Sequence, residues 1–397
     1  MTVSPTPTKQ RVHSIDILRG LVMLIMALDH VRDFFHIHGM DDTPTNLATT
    51  TPFLFFTRWI THFCAPTFVF LSGVSAFIAG QRKTKKELSS FLIRRGLWLI
   101  LAEITIITLA LTYDPLYHKI ILQVIWAIGF SMIILGLLTR TSMTVIVITG
   151  LLLVIGHNIF DYIRTDGSDI GSLLTKAFIA SGFNAIPLGD NHVILMFYTA
   201  LPWAGVMLLG YAFGTIYRSY YEARRRKVLI LFSGLTITIL FILLRFINMY
   251  GDPAQWSVQK DATYTLLSFL NTTKYPPSLM YLCMTIGPAL IILALTETAQ
   301  NRIAKILMIY GRVPFFYYML HFFIIHTLLV ILFYVSGYGT KDIADPNIPF
   351  NFRPLHFGYD LGTVYLIWFC VIASLYFPCK WFNKYKTTHS QWWLSYV

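Results

Sequence analysis

Ten apolar runs divide the sequence, at approximately residues 15–37, 52–80, 96–113, 119–138, 142–160, 192–217, 228–249, 277–296, 313–336 and 359–378. An apolar stretch of roughly 20 residues crosses a bilayer as helix, because helix pairs every backbone polar group within the segment. The runs therefore predict an all-α integral membrane protein, a bundle of about ten transmembrane helices. Composition agrees: 55% of the 397 residues are apolar and only 13% are charged, where a soluble domain carries about a quarter. One domain is expected over 15–378, between a polar tail (1–14) and a C-terminal tail (379–397). The first run carries Arg19, Asp29 and His30 with no small-residue cleavage site after it, so it does not read as a signal peptide.

A net charge of +12 would suit a nucleic-acid partner if the charge formed a surface, but its distribution points elsewhere. With the N-terminus inside, 21 of the 31 basic residues fall in cytoplasmic segments, notably 82–95, 218–227 and 302–312. Only Asp16, Glu87, Glu222 and Glu297 oppose them there. This is the positive-inside pattern, with both termini cytoplasmic. The expected location is a multi-pass cell membrane, the bacterial inner membrane, and nucleic acid is excluded. Cys64, Cys283, Cys370 and Cys379 lie within or at the ends of runs without a CxxC pair, and no metal-ligand spacing occurs.

Ionisable groups at membrane depth cost several kcal/mol in lipid and usually mark an interior site. The first run is richest in them. At about 100° per residue, Asp16, Arg19, His30 and Asp33 share an arc of roughly 100°, and Arg19 and His30 are about 16 Å apart along the axis. One polar stripe would then join an anion-binding position, Arg19, to a deep histidine. Asp33, on the same face, would orient His30 as a general base, whereas Asp29 points away. A buried His–Asp pair that only locks helices is the structural alternative.

Further candidates are Arg58 and His62, one helical turn apart, and Lys274 beside Tyr275 at the outer mouth, where Pro277 suits the first turn of the next helix. His321 is preferred to His326, which lies about 140° away on the same helix. Glu103 is expected in a structural ion pair, with Arg245 or a group of the first helix. A short surface helix is expected from Ser168, its N-cap, through Ile170, Leu173, Leu174, Ala177 and Phe178.

The segment Ser14-Ile15-Asp16-Ile17-Leu18-Arg19-Gly20, followed by an apolar run to Asp29-His30, resembles the opening of a membrane acyltransferase group. That group includes the heparan-alpha-glucosaminide N-acetyltransferase catalytic domain. Ala65-Pro66-Thr67-Phe68-Val69-Phe70-Leu71-Ser72-Gly73, Arg94-Arg95-Gly96-Leu97-Trp98, Lys274-Tyr275-Pro276-Pro277-Ser278 and Gly311-Arg312-Val313-Pro314-Phe315-Phe316-Tyr317-Tyr318 resemble its bacterial branch. The likeness runs from roughly 11 to 390. It implies transfer from cytoplasmic acetyl- or acyl-CoA to a sugar amine or hydroxyl outside, on a glycan, lipid-linked sugar or cell-wall sugar. The spacing also resembles the start of the acyltransferase-3 family, which implies a catalytic histidine at His30. The lysosomal enzyme implies one beyond the helix end, where His36 and His38 are the nearest matches.

These readings place His30 and Asp33 in catalysis. Arg19, Arg94 and Arg95 would hold the CoA co-substrate, and Arg58, His62, Lys274 and His321 would bind the acceptor. A second copy of the chain is a further expected partner, beside the lipid bilayer. The competing reading is a secondary transporter with an intramembrane polar site, against which no paired halves or matching interrupted helices are found.

Overall fold

The computed structural model describes residues 12–162, 170–179, 184–189, 191–345 and 348–395. Its helices are α1 (His13–Phe35), α2 (Pro52–Thr61), α3 (Cys64–Gly80), α4 (Lys85–Ala102), α5 (Thr108–Thr112), α6 (Val124–Leu138), α7 (Met143–Gly156) and α8 (Ile170–Phe178). They continue as α9 (Ala200–Phe213), α10 (Ala223–Ile247), α11 (Ala262–Leu270), α12 (Leu279–Leu295), α13 (Arg302–Gly311), α14 (Pro314–Val335) and α15 (Leu361–Thr388). Among the described residues, seven helical stretches are long and apolar enough to cross a membrane: 52–80, 85–112, 143–161, 200–217, 223–247, 314–335 and 361–388. Helix α1 is 23 residues long but carries Asp16, Arg19, Asp29, Arg32 and Asp33. The fold is that of an all-α membrane protein.

Four stretches depart from simple helix. The runs expected to be helical from 119 and 192 open as strands, β1 (Lys119–Leu122) and β3 (Val193–Met196), which pair in parallel, with β2 (Asn184–Pro187) antiparallel on β3. A short aliphatic run cannot be assigned to helix or strand by periodicity alone. At this depth an unwound segment has to find backbone partners, and the two segments supply each other's. Between α4 and α5 the chain makes a π-helical turn, Glu103–Ile107. Glu103 does not meet Arg245 or α1. Its carboxylate accepts from the Gln123 N–H at 2.5 Å and so caps the start of α6. The stretch 52–80 breaks at His62 and Phe63. Pro66 has no N–H to give the His62 carbonyl, and the Tyr281 hydroxyl donates to that carbonyl instead, at 2.8 Å.

The remaining boundaries shift for local reasons. Thr84 and Glu87 form a capping box that starts α4 at Lys85, well before residue 96. Helix α12 is capped by Ser278 rather than opened by Pro277, and the Tyr275–Pro276 peptide is cis. Helix α15 runs through Pro378 to Thr388. Helix α8 forms as expected, with Ala177 buried, while Ser168 lies outside the described residues.

Helix α1 is central, packing on α2, α3 and α12 to α15. Its contact with α13 is backbone against backbone. A Cβ on Gly20 would lie 1.9 Å from the Leu307 carbonyl oxygen, and one on Gly311 would lie 1.9 Å from that of Asp16. Small residues permit this approach where no hydrophobic effect drives helices together. Hydrogen bonds join the basic turns to one another at the same end: Lys85 to the Thr141 carbonyl (2.8 Å), Arg140 to Ser89 (2.9 Å), Gln81 to the Tyr217 carbonyl (3.3 Å) and Ser14 to Glu297 (2.6 Å). The opposite end, where α1 finishes at Phe35, holds the sheet and the long connections.

Candidate active site

At the Phe35 end the final turns of α1 carry Asp29, His30, Arg32 and Asp33, all on the wall of one cavity of about 1050 Å³. Asp29 is buried and serves two guanidiniums. It accepts from Arg58 of α2 and pairs with Arg32 one turn on, at 3.0 Å. Arg32 also pairs with its neighbour Asp33. A buried charge is costly to desolvate, and here two carboxylates, Asp29 and Asp33, balance the two arginines at the cavity wall.

His30 is partly exposed, to the cavity it lines. Its Nδ1 lies 2.7 Å from Nε2 of His321 on α14, and its ring stacks on Phe322 with centroids 4.4 Å apart. His321 is fully buried, and its Nδ1 lies 3.2 Å from the Tyr317 carbonyl oxygen. The orienting role expected of Asp33 is therefore not what the geometry supplies: Asp33 bonds Arg32, and His30 bonds His321. Helical-wheel reasoning also misjudged Asp29. It reaches the cavity wall because α2 brings Arg58 to it.

The other walls come from distant segments. The α2–α3 break contributes His62, and β1 and β3 contribute Lys119, Val193 and Leu195. The 272–275 segment brings Lys274, whose ammonium lies 5.0 Å from the Tyr275 ring centroid and 5.8 Å from that of Tyr198. Two buried charges hold the connection that ends there. Arg245 donates to the carbonyls of Ala254, Ser268, Phe269 and Asn271 at 2.8–2.9 Å. Asp252 accepts from Thr273 (2.9 Å) and from the Ser278 hydroxyl (2.6 Å). Neither role could be read from sequence, since both depend on how the 251–276 loop doubles back.

The mouth is formed by residues 39–45, where Asp41 is exposed. A hydrogen bond from His38 holds its carboxyl below the ordinary aspartate value. His38 points to this exposed pair, and His36 is buried past the end of α1 with its Nδ1 accepting from the His38 backbone N–H at 3.2 Å.

The structure thus gathers His30, Asp33, Arg58, His62 and Lys274 around one cavity. His321 stands behind His30, out of contact with the cavity. Arg19, Arg94 and Arg95 are at the other end of the bundle. Arg19 donates to Ser75 at 2.8 Å and to the Gly311 carbonyl at 3.2 Å, beside Asp16. Between Arg19 and His30, Val22, Met23 and Ala27 are buried in packing, so the stripe is not continuous.

No curated protein matches the chain. A family model, that of the heparan-alpha-glucosaminide N-acetyltransferase catalytic region, matches residues 11–246, more than half of the sequence. The matched part holds Asp29, His30, Arg32, Asp33, Arg58 and His62, while Lys274 and His321 lie beyond it. The chain belongs to the heparan-alpha-glucosaminide N-acetyltransferase catalytic family, a family of membrane acetyltransferases.

Proposed function

We propose that the chain transfers an acetyl or longer acyl group from acyl-CoA to an amine or hydroxyl of a sugar held in the cavity, with His30 as general base. The observation that carries this reading is the position of His30. It is a histidine at membrane depth, on the wall of a cavity large enough for a sugar, beside charged groups that would fix a polar substrate. The acceptor's amine or hydroxyl attacks the thioester carbonyl as His30 takes its proton. Lys274 and Arg58, which line the same cavity, would serve as cations for the oxygen that becomes negative.

The proposal extends to topology. Helix α1 and the two shorter apolar helices, 124–138 and 279–295, join the seven longer stretches as spans. At 15 residues α6 is short, but β1 in front of it lengthens the crossing. The gathering of basic turns at one end supports cytoplasmic termini, in the bacterial inner membrane, with the cavity opening outside. The donor's phosphates would then be met at the basic end, where Arg94 is exposed beside Arg95. The acyl group would have to pass between α1, α3 and α12, where only a void of about 10 Å³ separates Leu18 from Thr67 and Leu290. Delivery therefore requires these helices to part.

Two measurements test the reading. Purified protein given acetyl-CoA and glucosamine is expected to release free CoA together with acetylated sugar. In a background without its own cysteines, a cysteine at Thr340 is expected to label with an impermeant reagent in intact cells, and one at Lys85 is not. Reversed labelling would overturn the two-sided arrangement, and absence of sugar-dependent CoA release would overturn the acceptor class.

A further inference from the structure

A neutral imidazole carries one N–H and one lone pair, whereas a carbonyl oxygen can only accept. The 3.2 Å approach of His321 Nδ1 to the Tyr317 carbonyl oxygen therefore places the His321 proton on Nδ1 and leaves Nε2 as an acceptor. That acceptor lies 2.7 Å from His30 Nδ1, so the His30 proton sits on Nδ1 and points at it. What remains on His30 is the lone pair of Nε2, on the side chain that lines the cavity. The pair is held by packing. The His30 and His321 rings are inclined by 28°, and Phe322, fully buried, stacks on His30 and contacts His321 with centroids 4.2 Å apart.

The nearby carboxylates are committed elsewhere, Asp29 to Arg58 and Arg32, and Asp33 to Arg32. An imidazole in the orienting position has a physical advantage at membrane depth. It fixes the tautomer of its neighbour without adding a charge to a site that is dry behind His30.

We propose that His321 is a positioning residue that holds His30 in its Nδ1–H tautomer and so makes Nε2 the catalytic base, an inference that rests on the acyl-transfer reading of this cavity. In the reaction the acceptor's nitrogen or oxygen forms a bond to the acyl carbon. His30 Nε2 takes the acceptor's proton, and the carbon–sulfur bond of the thioester breaks. The proton on Nε2 then passes to the departing thiolate, leaving free thiol and the neutral Nδ1–H tautomer for the next turnover. Throughout, Nδ1–H stays bonded to His321, which stabilises the transient imidazolium. His321 itself has no exposed surface and touches no substrate.

The test reads the tautomer directly. Protein with ¹⁵N-labelled histidine rings is placed in nanodiscs, and the His30 signals are assigned by their loss in His30→Ala. Wild-type His30 is expected to carry its proton on Nδ1. His321→Phe removes the acceptor but keeps a ring, and is expected to return His30 to the Nε2–H form. With acetyl-CoA and glucosamine its kcat should fall by about 10²- to 10⁴-fold with little change in KM. His321→Gln offers an amide oxygen to the same Nδ1–H and is expected to recover most of that loss. If His321→Phe does not fold, the wild-type tautomer and the glutamine variant still decide. A wild-type His30 protonated on Nε2, or wild-type kcat in a folded His321→Phe, would overturn the inference. Absence of transfer by the wild type would instead overturn the acyl-transfer reading and leave the tautomer result standing on its own.

Discussion

Helix α1 carries an ionic cluster at each end, and the two are built from the same residue types. At the His13 end Asp16 lies 3.5 Å from Arg19 and 3.4 Å from Arg312. At the Phe35 end Asp29 lies between Arg58 and Arg32. The first is packed tightly against α13, with its two arginines partly exposed. Gly20 and Gly311 let α13 press its backbone onto α1, and Arg19 spends its donors on Ser75, Asp16 and the Gly311 carbonyl. The second faces a cavity of about 1050 Å³, because the segments around it are not continuous helix. Pro66 goes with a break at His62, the sequence before α12 is a Tyr-Pro-Pro turn, and β1 and β3 replace the first turns of two helices. Buried charge in a membrane helix thus lines a cavity only where the neighbouring helices cannot close on it. Glycines close one end of α1, and prolines and strands hold the other open.

The comparison can be broken most severely at the tightly packed end. Gly311→Leu places a side chain where the Asp16 carbonyl already stands, and the expected result is loss of a folded, monodisperse protein by size-exclusion chromatography. Normal folding of this variant would show that the α1–α13 contact is not needed to close the cluster.

A smaller effect is expected at the open end. Asp29→Ala leaves two arginines without their shared partner, for an expected loss of about 3 kcal/mol, at the low end for a buried pair because the cavity admits water. The double variant Asp29→Ala, Arg58→Met should be more stable than Asp29→Ala alone, since one stranded charge is gone. Additive losses in thermal melts would contradict the shared-carboxylate description.

The smallest effect is expected for Arg19→Ala. Its pair with Asp16 is long and partly exposed, so the cost should be about 1 kcal/mol, with transfer per folded molecule retained. Loss of CoA affinity at an unchanged melting temperature would return Arg19 to the donor site.

Sequence made much of this molecule legible, for reasons that differ by region. Hydrocarbon-length runs locate most of the helical spans, because backbone pairing in lipid leaves few other solutions. The gathering of Arg58, His62 and Lys274 with the end of α1 around one cavity follows from the cost of burying charge. The strands at 119–122 and 193–196 were hidden because an aliphatic run has no diagnostic period, and their pairing joins residues far apart in sequence. Face arguments along one helix chose Asp33 for His30. The actual partner, His321, comes from α14, 291 positions away. Two histidines at membrane depth, each on its own helix, were the one available signal, and pairing them would have recovered the contact.

The central claim is that chemistry occurs at the open end, on His30. The direct measurement is the turnover of His30→Ala with acetyl-CoA and glucosamine, read beside its melting temperature and beside His36→Ala and His38→Ala. A positioned proton-transfer group typically contributes 10²- to 10⁴-fold, so His30→Ala should lose about that much while remaining folded, with the other two variants near wild type. Full turnover in His30→Ala, with inactivity in His36→Ala or His38→Ala, would contradict the account and move catalysis beyond the end of α1.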